Sequence, residues 1–184
     1  MMDFDLIWPR FCWVLDDMRN GMAFFEGYVP ILGETDLLGP LRKLIKRAEN
    51  HTFRTSIWSS EATASDWDKE YSDDDYVAFF ESGRIYTLHF DYEVRVGNTP
   101  LFLKLLFDRD KREVGKEPEV ALEIVCYRET ILAAPDSKRA IFDAVSELCT
   151  LKQLFHGDAL FLGPDTFERP ASRTSYSKDW LRIE

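Results

Sequence analysis

The chain has 184 residues, 45% of them hydrophobic, 14% aromatic and 30% charged, with a net charge of −10. That is enough length and apolar content for a buried core, and it excludes a disordered polymer. Residues 61–82 hold eight acidic side chains and one basic, while the rest of the chain is close to neutral, so nucleic acid is excluded as a partner of that segment.

Met1-Met2-Asp3-Phe4-Asp5 offers no basic leader region and Trp8-Pro9-Arg10 interrupts any apolar run, so no secretory leader is expected. No stretch approaches the roughly 18 apolar residues of a membrane helix, so no membrane partner is expected. Cys12, Cys126 and Cys149 form no CxxC pair and sit in apolar surroundings. They read as reduced thiols, which fits a cytoplasmic location. A single globular domain over residues 1–184 is expected, with about 158–184 as an irregular C-terminal segment.

Residues 9–22 read as a helix, with Pro9 at its first position and Phe11, Cys12, Leu15, Met18 and Met22 at helical spacing. Asn20-Gly21 ends it. The apolar residues on either side of Gly27 form a buried loop or a short strand. A second helix over about 37–50 buries Leu41, Leu44 and Ile45, and its solvated outer face carries Arg42, Lys43, Lys46 and Arg47. Phe53 to Ser59 is a β-prone run, and Tyr76 to Glu81 is another.

From Tyr86 to Val96 the alternation is unbroken. Tyr86, Leu88, Phe90, Tyr92, Val94 and Val96 define one face, and Thr87, His89, Asp91, Glu93 and Arg95 the other. Gly97-Asn98-Thr99-Pro100 then links this strand to Leu101–Asp108 as an antiparallel hairpin. Glu119–Tyr127 predicts a further strand with Val120, Leu122, Ile124 and Cys126 on one face. The strongest helix starts at Pro135-Asp136-Ser137, buries Ile141, Ala144, Val145, Leu148, Leu151 and Phe155, and stops at His156-Gly157. The order predicts an α+β fold: an antiparallel sheet of about four to six strands in a meander, packed against N-terminal helices and one long C-terminal helix.

Four constellations bear on function. His89, Asp91 and Glu93 project from one strand face about 7 Å apart, by the rise per residue, a spacing at which neighbours could share a metal ion or act as base and orienter. The wet face of an amphipathic strand carries such residues in any case, and no metal or cofactor is assigned to them. Glu93-Val94-Arg95 and Glu123-Ile124-Val125 lack the lysine of a nuclease-type motif. Asp66-Trp67-Asp68-Lys69-Glu70 resembles the start of a calcium loop, but Tyr71 stands where its glycine belongs and Val77 where its terminal glutamate belongs. No GxSxG, P-loop, GxGxxG or HExxH is present. No catalytic residue is therefore assigned.

The acidic segment interleaves carboxylates with aromatics: Asp66, Asp68, Glu70, Asp73, Asp74 and Asp75 alternate with Trp67, Tyr71 and Tyr76. Acidic loops are commonly no more than solvated, yet large aromatics ringed by charge are what an interface uses as anchors. The expectation is a protein-binding inhibitor with no enzymatic activity, of the kind of a bacterial immunity protein that neutralises a basic toxin. His89, Asp91 and Glu93 would extend its patch. Two alternatives stand beside it. One is a DNA-mimicking phage-type inhibitor, which should spread its carboxylates more evenly. The other is a small-ligand-binding or enzymatic domain, using the His89/Asp91/Glu93 face or a cavity lined by Tyr86, Phe90, Tyr92, Phe107 and Tyr127.

Overall fold

The computed structural model of the chain describes residues 4–31, 37–56, 69–71, 86–110, 119–164 and 181–184. The fold is α+β, built on an open sheet that has eight strands among the described residues, each pairing antiparallel to its neighbours. In chain order the elements are α1 (Phe4–Phe11), α2 (Trp13–Arg19), β1 (Phe24–Ile31), α3 (Leu38–Arg47), β2 (Asn50–Ser56), β3 (Lys69–Tyr71) and β4 (Tyr86–Val96). They continue as β5 (Thr99–Asp110), β6 (Glu119–Tyr127), α4 (Arg128–Ala133), α5 (Ser137–Leu154), β7 (Leu160–Pro164) and β8 (Leu181–Ile183).

The spatial order is β3-β2-β4-β5-β6-β1-β7-β8. Strands β4, β5 and β6 form the expected meander, but the sheet is wider than four to six strands. The apolar run around Gly27 is strand β1, which pairs β6 on one side and β7 on the other. Alternation is weak there because both faces of β1 are largely covered: six of its eight residues are buried. A strand buried on both faces loses the period-2 signal. The tail likewise contributes β7 and β8, so the expected irregular segment from about 158 begins and ends in the sheet. The predicted Tyr76–Glu81 strand lies outside the described residues.

The hairpin is tighter than expected. Val96 faces Thr99, so the link is Gly97-Asn98 alone and Thr99-Pro100 already belongs to β5. Gly97 has φ of 60°, the left-handed conformation such two-residue turns require. At the end of α5 the left-handed residue is His156 (φ 56°) rather than Gly157, because Gly157 N–H returns to the Lys152 carbonyl at 2.8 Å. At its start, Asp136 accepts from the Arg139 amide at 3.0 Å, the predicted cap. The single N-terminal helix is replaced by α1 and α2, broken at Cys12. Pro9 lies inside α1, removing one helical donor two residues before that helix ends.

The five helices among the described residues contribute to one core on a single face of the sheet. Phe11, Val14, Leu41, Leu44, Ile131, Ala144 and Leu148 meet Phe25, Val29, Phe90, Leu103, Leu105 and Ile124 there. The approach of α5 to β1 is close: a Cβ placed on Gly27 would run into the Leu148 side chain. Each fully buried Leu, Val or Phe contributes about 1.5–3 kcal/mol. The hydrophobic alternation of β4 thus fixes its register, since Phe90, Tyr92 and Val94 are buried as predicted.

Candidate functional site

The opposite face of the sheet carries the polar set predicted on β4. Cross-strand register places Thr52, Asp91, Lys104, Val125 and Glu26 in one row. A second row holds Arg54, His89, Leu106, Glu123 and Tyr28, and a third begins Asn50, Glu93, Phe102. Asp91 is half-buried with Lys104 Nζ at 3.9 Å, a charge contact too long for a hydrogen bond, and its Oδ1 is buried without a hydrogen-bond partner. Glu93 is exposed and accepts from the Asn50 amide at 2.9 Å. Arg95 pairs with Glu49 at 3.1 Å. His89, Asp91 and Glu93 therefore share a face, as predicted, but Asp91 and Glu93 have different partners, Lys104 and Asn50. Among the described residues no three His, Cys, Asp or Glu side chains converge as metal ligands.

The acidic segment enters the described structure only at β3, where Glu70 pairs in register with Arg54 and Tyr71 with Phe53. Arg54 in turn pairs with His89, so Glu70, Arg54 and His89 occupy one cross-strand row at the sheet edge. Asp66, Trp67, Asp68, Asp73, Asp74, Asp75 and Tyr76 lie outside the described residues.

The expected cavity is not formed by the described members of its lining. Phe90 and Tyr92 are fully buried core residues, their rings stacked at 5.4 Å and 12°. Tyr127 lies on the other face, packed between Phe24 and Phe102 at ring distances of 6.2 and 5.8 Å. A groove of about 380 Å³ is found elsewhere, between the β4–β5 turn and α4, with Glu93, Phe102, Thr130 and Pro135 on its walls.

Sequence reasoning missed two buried carboxylates on α5. Glu147 is 2% exposed; Arg47 donates to its Oε2 at 2.6 Å and the Tyr92 hydroxyl to its Oε1 at 3.3 Å. Arg47, expected on a solvated helix face, is instead turned inward with its side chain one-third exposed. One turn earlier Asp143, also 2% exposed, accepts from the Thr99 hydroxyl through Oδ2. Its Oδ1 lies 2.9 Å from Arg139 Nε, an ion pair whose angles do not make a hydrogen bond. Burial raises the Glu147 carboxyl above its ordinary range, and Arg47 opposes the rise. Burial, with Glu147 second, pushes the Tyr92 hydroxyl and the Cys126 thiol well up. The available signal was spacing: residues 143 and 147 are one turn apart and fall within the arc that includes Ala140, Ala144 and Leu151.

These carboxylates tie α5 to α3 and to both strands of the hairpin. Neither Cys126 nor Tyr92 is held in a reactive form, since both are shifted toward the protonated state. The arrangement is a structural clamp. It holds the platform that carries His89, Asp91 and Glu93 on its far side. No protein-family model, curated protein or solved structure matches the chain. Among the described residues no helix is long and apolar enough to cross a membrane.

Proposed function

We propose that the chain is a protein-binding module whose recognition surface joins the acidic segment to the polar face of the β4–β5 hairpin. The supporting observation is the edge register in which Glu70, Arg54 and His89 share a row. Residues 61–82 carry a net charge of −7, and within them Lys69–Tyr71 pairs β2, which in turn pairs the strand bearing His89, Asp91 and Glu93. Concentrated carboxylates steer a basic partner into place. The specific form favoured is an immunity protein that neutralises a basic toxin in the bacterial cytoplasm, since neutralisation requires affinity and rate but no chemistry from the inhibitor.

The test is complex formation with the partner captured from the native host. A one-to-one complex by light scattering, lost in the Asp73→Asn/Asp74→Asn/Asp75→Asn protein at moderate salt, supports the reading. Equal capture by both proteins rules out the acidic segment as the recognition element.

A further inference from the structure

The groove beside the hairpin turn joins three features. Phe102 is one of two large hydrophobic side chains exposed among the described residues, at 39%. It is the direct cross-strand neighbour of Glu93, so an aromatic face and a carboxylate stand side by side at the groove wall. Glu93 is hydrogen-bonded by a neutral amide and takes part in no ion pair among the described residues, whereas nearby Glu49 is neutralised by Arg95. The opposite wall, Ala133 to Pro135, is largely apolar.

From this juxtaposition we infer that the groove is the docking pocket for an arginine side chain of the partner protein. The guanidinium stacks on the Phe102 ring and pairs with Glu93, and the methylene stem lies along Ala133 and Pro135. An aromatic face attracts a cation, most strongly a planar one that can stack, and an adjacent carboxylate with no ion pair among the described residues gives the same cation a charged acceptor. A volume of about 380 Å³ accommodates one such side chain with part of its backbone. Phe102 is itself held by Tyr127, which is held by Phe24, so the aromatic wall is fixed before the partner arrives. This deepens the protein-binding reading and rests on it for the source of the arginine.

The experiment needs no partner. N-acetylarginine N-methylamide is titrated into the full chain and backbone amide shifts are followed by NMR, with the neutral citrulline analogue as control. The expected result is saturating shifts at Asn98, Thr130 and Ala133 with the arginine probe and none with citrulline. Glu93→Gln and Phe102→Ala should each weaken the dissociation constant at least fivefold by loss of one contact. Both positions are exposed, and unchanged shifts elsewhere report intact folding. Absence of saturation in the groove, an equal response to citrulline, or unaltered affinity in Glu93→Gln overturns the inference. Those outcomes leave charge-dependent capture of a basic partner standing, whereas a groove response without such capture overturns only the broader reading.

Discussion

Replacing Arg47 with methionine tests the clamp beneath the recognition face. The substitution keeps most of the side chain's volume and removes the charge that faces Glu147 at 2.6 Å. Removing one partner of a buried ion pair costs about 3–5 kcal/mol. Because Arg47 is one-third exposed, water replaces part of what is lost, and about 2–3 kcal/mol at neutral pH is the expected cost. For a chain of this size that lowers Tm by roughly 5–10 °C.

The pH dependence carries the sharper signature. The Glu147 carboxyl is raised by burial, so as pH rises the unfolded chain releases its proton first. Stability from this group is fully present below the unfolded glutamate range and is lost as pH rises through the raised folded value. In Arg47→Met the opposing cation is gone, the folded value rises further, and the loss continues to higher pH. Thermal unfolding by circular dichroism between about pH 4 and 8 should show a small gap between variant and wild type at the acid end and the widest gap near neutrality. Adding Tyr92→Phe and Glu147→Leu should recover most of the stability, since neither partner of Arg47's buried contact is then left as an unpaired polar group. A gap that is constant with pH would refute the assigned role of the Arg47–Glu147 pair.

The remaining predictions concern neighbouring contacts. Thr99→Val removes the hydroxyl that donates to buried Asp143 and should cost about 1.5–3 kcal/mol in chemical denaturation; wild-type stability would show that Arg139 alone satisfies Asp143. Gly27→Ala drives a methyl group into Leu148 and should cost about 1–3 kcal/mol, with the Leu148→Ala background relieving part of it. Gly97→Ala forces a side chain into φ of 60° and should cost about 1 kcal/mol, read as faster amide exchange at the hairpin end.

Legibility from sequence followed the directness of the signal. β4 was readable because one face is core and the other wet, so burial and alternation agree at Phe90, Asp91, Tyr92 and Glu93. Helix α5 was readable because a capping aspartate and an apolar stripe mark it. β1 was not, because a strand covered on both faces carries no alternation, and its neighbours β6 and β7 are distant in sequence. The site divides the same way. The shared face of His89, Asp91 and Glu93 follows from period-2 geometry, but only helical spacing hints that Glu147 and Asp143 are buried. Only the packing of α3 brings Arg47, 100 residues away in the chain, to Glu147. Phe102 and Glu93 became a pair only once the two-residue turn fixed their register.

The association rate with the isolated partner as a function of ionic strength tests the proposed recognition surface most directly. The wild-type chain should associate rapidly at low salt and slow steeply as salt is added. The Asp73→Asn/Asp74→Asn/Asp75→Asn protein should associate several-fold more slowly at low salt, with a dissociation rate close to wild type. Identical association rates for the two proteins at low salt would contradict recognition through the acidic segment.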